Sequence, residues 1–207
     1  MRKASEKTLS RLPFYLKAVQ DFKEEGKEYV SASELAFSLS LNEEQVKKDL
    51  QIVSSTNGIP RKGREINTLI RDIQDYLGYK NHMNAIVVGA GHLGQALLNY
   101  KGFTELGISI QAAFDVDSRI VDQAINGKPV FHFDKIKALV PKLNARIAII
   151  TVPVESANEV ANRLVEAGIK AIWNFSPIHL NVDNNIIVEN VNLASSLAVL
   201  SSKLKKI

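Results

Sequence analysis

Residues 85–94 read Ala85-Ile86-Val87-Val88-Gly89-Ala90-Gly91-His92-Leu93-Gly94. Four apolar residues make a short buried strand, and a glycine-patterned turn follows at once. Ala96, Leu97, Leu98 and Tyr100 then carry a helical pattern. Strand, GxGxxG turn and helix in that order form the phosphate-binding start of a dinucleotide fold. Gly89 makes the tight turn, Gly91 lets the backbone approach a pyrophosphate, and Gly94 lets helix pack on strand. The phosphates then sit on the helix N-terminus, with its unpaired N–H groups and positive dipole end.

Outward from the turn, residues 109–114 read as a second strand that ends at Asp115. Asp115 stands about 20 residues past the glycines, where an acid accepts from the adenosine ribose and repels a 2′-phosphate. The expected cofactor is therefore NAD(H) rather than NADP(H). Strands follow over 146–151 and 171–175, with a helix over about 155–167 between them. Thr151-Val152-Pro153 and Asn174-Phe175-Ser176-Pro177 fall at strand C-termini, where open α/β sheets bind ligands. Residues 186–188 suit a last strand. A helix over about 192–205 carries Leu193, Leu197 and Leu200 on one stripe and small residues beside it. It has no place in a two-layer Rossmann domain and reads as a dimer element.

The texture changes near residue 81, which divides the chain into a helical domain over 1–80 and a Rossmann-type domain over 81–207. In the first, Leu9, Leu12, Leu16, Val19 and Phe22 recur at helical spacing from about Lys7 to Glu25, with Pro13 awkwardly inside. Ser31 with Glu34 is a capping box, and Asn42 caps a second short helix with Val46, Leu50, Ile52 and Val53. Two short capped helices make a helix-turn-helix, whose second helix carries Lys47 and Lys48. Asn57-Gly58 marks a turn, and Arg61, Lys62 and Arg64 read as a basic wing. Asp49 and Glu65 oppose these five cations. A helix over about 67–77 ends at Gly78. A plain three-helix interaction module is the alternative to DNA binding.

Composition excludes several classes. Net charge is +4, from 26 basic and 22 acidic residues, too weak to identify a partner, so local clustering must. The chain has no cysteine, which removes disulfides, thiolate metal sites and cysteine nucleophiles. No apolar run approaches the roughly 20 residues of a membrane helix. Met1–Lys7 does not read as a signal peptide, so a cytoplasmic protein is expected. The histidines His82, His92, His132 and His179 lie in the glycine turn or near loops, with no Tyr-x-x-x-Lys pair beside them. A dehydrogenase is thus disfavoured, and neither catalytic nor metal-binding residues are expected. A coenzyme A binding module remains an alternative for the second domain, since its strand-helix-strand pattern, ending in Ala167-Gly168-Ile169-Lys170, resembles the coenzyme A binding domain of acyl-CoA synthetases.

Taken together, the chain resembles the Rex family of redox-responsive transcriptional repressors. Ser10-Arg11-Leu12, Tyr15-Leu16, Gln45-Val46-Lys47-Lys48-Asp49-Leu50, the turn Gly89–Gly94 and Phe114-Asp115-Val116-Asp117 carry the likeness. Thr151-Val152-Pro153, Asn174-Phe175-Ser176-Pro177 and Val188-Glu189-Asn190-Val191 extend it over nearly the whole length. The resemblance implies an α/β architecture with an N-terminal winged helix-turn-helix and a C-terminal parallel-sheet Rossmann-type domain. It implies a homodimer that exchanges its C-terminal helix, binds palindromic double-stranded operator DNA, and releases it when NADH replaces NAD+. By position, Gly89, Ala90, Gly91, His92, Leu93, Gly94, Asp115, Val116, Thr151, Val152, Pro153, Asn174 and Phe175 would line the cofactor. Lys47, Lys48, Arg61, Lys62 and Arg64 would meet DNA, and Lys17, Tyr100, Asn192 and Leu193 would form the switch and dimer contacts. Three departures stand out. Lys47 replaces the family's usual Arg. The Gly- and aromatic-rich wing is replaced by residues 52–66. Asn192 and Lys17 stand where an Asp–Arg pair is common. A paralogue with a weak or altered redox response is the corresponding alternative.

Overall fold

The computed structural model describes residues 4–80 and 82–205. Residues 1–3, on which the reading of the start partly falls, lie outside that set. The chain divides into two compact units, Met1–Asn81 and His82–Ile207.

In the first unit, α1 (Glu6–Glu24) starts at Ser5, whose hydroxyl accepts from the Thr8 amide. Pro13 lies inside α1 on its exposed side, where it offers the Leu9 carbonyl no helical donor. The apolar stripe sits slightly differently from the expected one. Leu12, Tyr15, Leu16 and Val19 are buried, whereas Leu9 is 40% exposed. A two-residue strand β1 (Tyr29–Val30) leads into α2 (Ala32–Ser38), opened by the full Ser31/Glu34 capping box. Asn42 caps α3 (Glu43–Val53) through the Glu44 and Gln45 amides. β2 (Arg64–Glu65) pairs antiparallel with β1, and α4 (Ile66–Leu77) ends at Gly78 in the left-handed conformation. Val30, Leu35, Val46, Leu50, Ile66, Leu69 and Ile73 close one core with the α1 stripe.

The second unit is built on a seven-stranded sheet. Its strands are β3 (Met83–Val88), β4 (Ile108–Asp115), β5 (Ala124–Ile125), β6 (Lys128–His132), β7 (Ala145–Ile150), β8 (Ala171–Asn174) and β9 (Ile187–Asn190). The order is β5-β6-β4-β3-β7-β8-β9, parallel throughout except for the β5 edge. Alternate residues of β3 feed two cores, Ile86 and Val88 on one face and Ala85 and Val87 on the other. The first face is covered by α7 (Ile136–Lys142) and α8 (Val154–Glu166), the second by α5 (His92–Asn99) and α6 (Gly102–Glu105). The unit therefore has three layers rather than two. The strand order reverses between β3 and β7, and in such sheets the crevice at that reversal takes the ligand. The last helix, α9 (Leu193–Leu204), contributes no buried side chain among those described.

Candidate functional site

The strand order places the C-termini of β3 and β7 side by side. Val88 pairs with Ile150, and the Thr151 amide donates to the Val88 carbonyl at 2.9 Å. The Thr151 hydroxyl donates to the Gly89 carbonyl at 2.6 Å, which pins the glycine turn to the neighbouring strand. Gly89 adopts φ +92, and a Cβ there would meet the Thr151 carbonyl oxygen at 2.9 Å. A Cβ on Gly94 would fall on the Gly89 carbonyl oxygen, so helix and strand touch through that residue. Gly91 differs: nothing lies within 4 Å of its would-be Cβ. The space above the turn is open, as a phosphate approach requires.

A cleft of about 440 Å³ opens from this turn. Gly89, Gly91, Asp115, Val116, Thr151, Val152 and Pro153 line it, as do Asp117, Ile120 and Ser156, which the sequence reading did not assign. Two helices start at its edge, α5 at Gly91 and α8 at Pro153, and neither first turn has a side-chain cap. Apart from the Ser156 amide, which donates to the Pro153 carbonyl, these first-turn amides can bind phosphate oxygens.

Asp115 does more than await a ribose. Its Oδ2 accepts from the Ala90 amide at 2.5 Å, and its Oδ1 accepts from the Val116 and Asp117 amides at 2.7 and 2.9 Å. A carboxylate offers about four acceptor directions. One ties the glycine turn to the end of β4, two order the residues just after it, and one on Oδ2 remains.

Other expected site residues lie off this cleft. Ala90 and Gly94 are buried, whereas His92 and Leu93 stand exposed on the first turn of α5. Asn174, expected at the cofactor, is fully buried. Its Nδ2 donates to the Ser176 and Ile178 carbonyls and to Asn190 Oδ1, and its Oδ1 accepts from the Ser176 amide. Those bonds use both N–H donors and one of the two oxygen lone pairs to shape residues 174–178 and tie them to Asn190. Phe175 packs edge-on against Trp173 at 4.6 Å.

In the first unit, α3 buries Val46, Leu50 and Val53 and exposes Lys47 and Lys48. Lys47 Nζ is held by Glu43 at 2.9 Å and Glu44 at 3.0 Å, and these carboxylates raise its pKa. Arg61 (φ +64) and Lys62 are exposed in the wing, which closes through an Ile59–Gly63 bridge. Lys62 Nζ lies 4.7 Å over the Tyr29 ring. Arg64 departs from the expected row of wing cations. It is half-buried in β2, its Nε has no hydrogen-bond partner, and burial lowers its pKa.

The two acids set against these cations are both committed to structure. Glu65 caps α4 through the Asn67 and Thr68 amides. Asp49 is 3% exposed and accepts from Thr8 Oγ1 (3.0 Å), Tyr15 Oη (2.8 Å), and Arg11 Nε (2.8 Å) and Nη2 (3.0 Å). With its amide turned so that the oxygen faces the guanidinium, Gln45 Oε1 accepts a further bond from Arg11. This buried carboxylate therefore bolts α3 to α1, and burial with the Asp49 bond pushes the Tyr15 phenol up to about 12.

Among the expected switch residues, Lys17 pairs with Asp21 at 2.8 Å. Tyr100 lies just past α5 with its ring edge-on to Phe103 at 4.9 Å. Asn192 caps α9 through the Ser195 amide. Leu193, Leu197, Leu200 and Leu204 are each more than half exposed. Among the described residues no helix is long and apolar enough to cross a membrane, and no cluster of side chains could hold a metal ion.

Known proteins agree with this geometry. A family described as "CoA binding domain" matches residues 80–178, and one described as "Putative DNA-binding protein N-terminus" matches residues 3–51. The chain is 38% identical to the redox-sensing transcriptional repressor Rex of Bacteroides fragilis, over 98% of this chain and 91% of that protein. It is 42% identical to the Rex repressor of Treponema denticola, over 93% and 91%. Among solved structures it is similar to RSP, a Rex-family repressor. The complex of RSP with β-NAD+ and operator DNA superposes with TM-score 0.92 at 31% identity, covering 100% of this chain and 94% of that one. The complex of RSP with β-NADH gives TM-score 0.88 at 30% identity, covering 100% and 96%.

Proposed function

The chain belongs to the Rex family of redox-sensing transcriptional repressors, and from that membership we propose that it represses transcription as a homodimer on operator DNA and senses the NADH/NAD+ ratio. The observation that carries the nucleotide half is the cleft at the strand-order reversal. The open Gly91, two uncapped helix starts and the Asp115 carboxylate fit the pyrophosphate and adenosine ribose of a dinucleotide. Bound there, NAD(H) supplies a two-electron redox state for the protein to read.

The chain's own residues supply the rest. Thr151 and Asp115 hold the turn in its phosphate-ready shape from two sides. Val116, Ile120 and Val152 give the cleft apolar walls. On the DNA side, α3 supplies Lys48 and Lys47, and the wing supplies Arg61 and Lys62. Arg64 contributes more to the wing's shape than to its free charge. The exposed leucines of α9 are covered by the second subunit, with Leu193 and Asn192 at the start of that contact. NADH acts as an effector rather than a co-substrate, and the protein works in the cytoplasm, where its operators are.

A coenzyme A occupant is the second reading, favoured by the family match over residues 80–178. Calorimetry with NADH, NAD+ and coenzyme A separates the two. NADH and NAD+ should bind with one site per chain. Heat with coenzyme A and none with either nicotinamide nucleotide would overturn the assignment.

A further inference from the structure

Asp117 follows Asp115 by two residues and lines the same cleft. Its amide donates to Asp115 Oδ1, so the two carboxylates are fixed as one unit at the end of β4. Asp117 holds an arginine in turn. Its Oδ1 accepts from the Arg119 amide at 2.9 Å and from Arg119 Nε at 3.0 Å, and its Oδ2 accepts from Arg119 Nη2 at 2.7 Å. The fork is complete. The arginine side chain is 86% exposed and the aspartate 33%, so the guanidinium stands on the solvent side of the carboxylate. The pairing holds the Asp117 carboxyl down to about 2, and it stays ionised at any working pH.

We infer that the Asp117–Arg119 pair sets the choice between NAD(H) and NADP(H), a specificity role that rests on the dinucleotide reading of the cleft. Asp115 alone is a limited gatekeeper, because three of its acceptor directions already serve backbone amides. Asp117 places a second fixed carboxylate beside it, whose charge is balanced by Arg119. An arginine close to this position is what accommodates a 2′-phosphate in NADP-binding relatives of the fold. Arg119 is such a residue, but its Nε–Nη2 edge, the one that makes a side-on fork, is spent on Asp117. A 2′-phosphate therefore meets the Asp115 charge and a guanidinium already turned to its own carboxylate, with no net positive charge to receive it. Without the Asp117 charge, the same guanidinium becomes a planar phosphate receptor.

Calorimetry with NADH and NADPH on the full-length protein tests this, using wild type, Asp117→Asn, Arg119→Gln and the double variant, each checked by thermal melting. Asparagine keeps the shape and the bond to the Arg119 amide but removes the charge. The ratio of NADPH to NADH affinity should rise about tenfold or more in Asp117→Asn. The double variant should lose that gain, and Arg119→Gln alone should show none. An unchanged ratio in Asp117→Asn overturns the inference, as does a gain that survives in the double variant or appears with Arg119→Gln. An Asp117→Asn protein that melts normally but binds neither nucleotide overturns it too, since Asp117 would then only build the loop. Wild-type protein that binds no NADH refutes the dinucleotide reading itself.

Discussion

Asp49→Ala should loosen the helix-turn-helix without touching the nucleotide unit. The substitution leaves the Tyr15 hydroxyl, in a fully buried residue, and the buried Thr8 hydroxyl without their acceptor. It also strips Arg11, whose side chain is 21% exposed, of its main partner. Breaking a buried pair from one side costs about 3–5 kcal/mol. Arg11 can turn partly to water and to Gln45, which argues against a larger figure. At roughly 0.05–0.15 kcal/mol per residue, a unit of this size holds about 4–12 kcal/mol in all, so the loss is a large share. The single tryptophan, Trp173, lies in the second unit, packed against Phe103 and Phe175. Its fluorescence follows that unit alone, whereas far-UV dichroism follows the helices of both. Urea titration of Asp49→Ala should show an early dichroism transition, about 2 M or more below that of wild type, with the tryptophan transition unmoved. Asp49→Asn, which keeps one acceptor, should fall between. A dichroism shift worth less than about 1 kcal/mol would refute the account of Asp49 as the bolt between α1 and α3.

Further outcomes follow from the same geometry. Gly91→Ala meets open space, so its melting temperature should match wild type while NADH affinity falls at least about tenfold by calorimetry, the methyl group taking the place of the phosphate approach. The Tyr15 phenol titrates at about 12 when folded, against 10 when unfolded, so the stability it contributes is complete below pH 10 and lost as pH rises from 10 to 12. Tyr15→Phe should lack that component, and the wild-type minus mutant difference in urea stability across this range measures it. Arg61→Ala with Lys62→Ala should lower the log–log salt slope of operator binding by up to about 0.9 for each DNA phosphate that is no longer neutralised. Lys17→Arg with Asn192→Asp introduces the Arg and Asp that the family commonly carries at these positions, and should widen the gap between operator affinities measured in saturating NADH and saturating NAD+.

What the sequence made legible is what short-range pattern encodes. The β3–turn–α5 unit, Asp115 at the end of β4, both helix caps of the helix-turn-helix and the uncovered stripe of α9 are all local signals. The β5–β6 hairpin was missed although Asn126-Gly127, both at positive φ, is a strong two-residue turn signal. Its strands are two and five residues long, too short for periodicity to register. α7 was missed with it. Tertiary commitments were not legible at all. Asp49 sits beside Lys47 and Lys48 and reads as surface charge, and only the fold brings Thr8, Arg11 and Tyr15 around it. Asn174 reads as a ligand-facing amide because it ends a strand, yet residues 176, 178 and 190 consume its bonds. Arg64 reads as a wing cation, and its burial depends on the pairing of β2 with β1.

As a redox-sensing repressor, the chain would couple its nucleotide cleft to DNA. Operator fragments selected from genomic DNA by the NAD+-bound protein, then titrated with NADH at fixed total nucleotide while bound DNA is followed by fluorescence anisotropy, test it most directly. Bound DNA should fall as the NADH fraction rises, and Gly91→Ala should flatten that curve. DNA held equally at every NADH/NAD+ ratio, by protein that calorimetry shows to be binding both nucleotides, would contradict the claim.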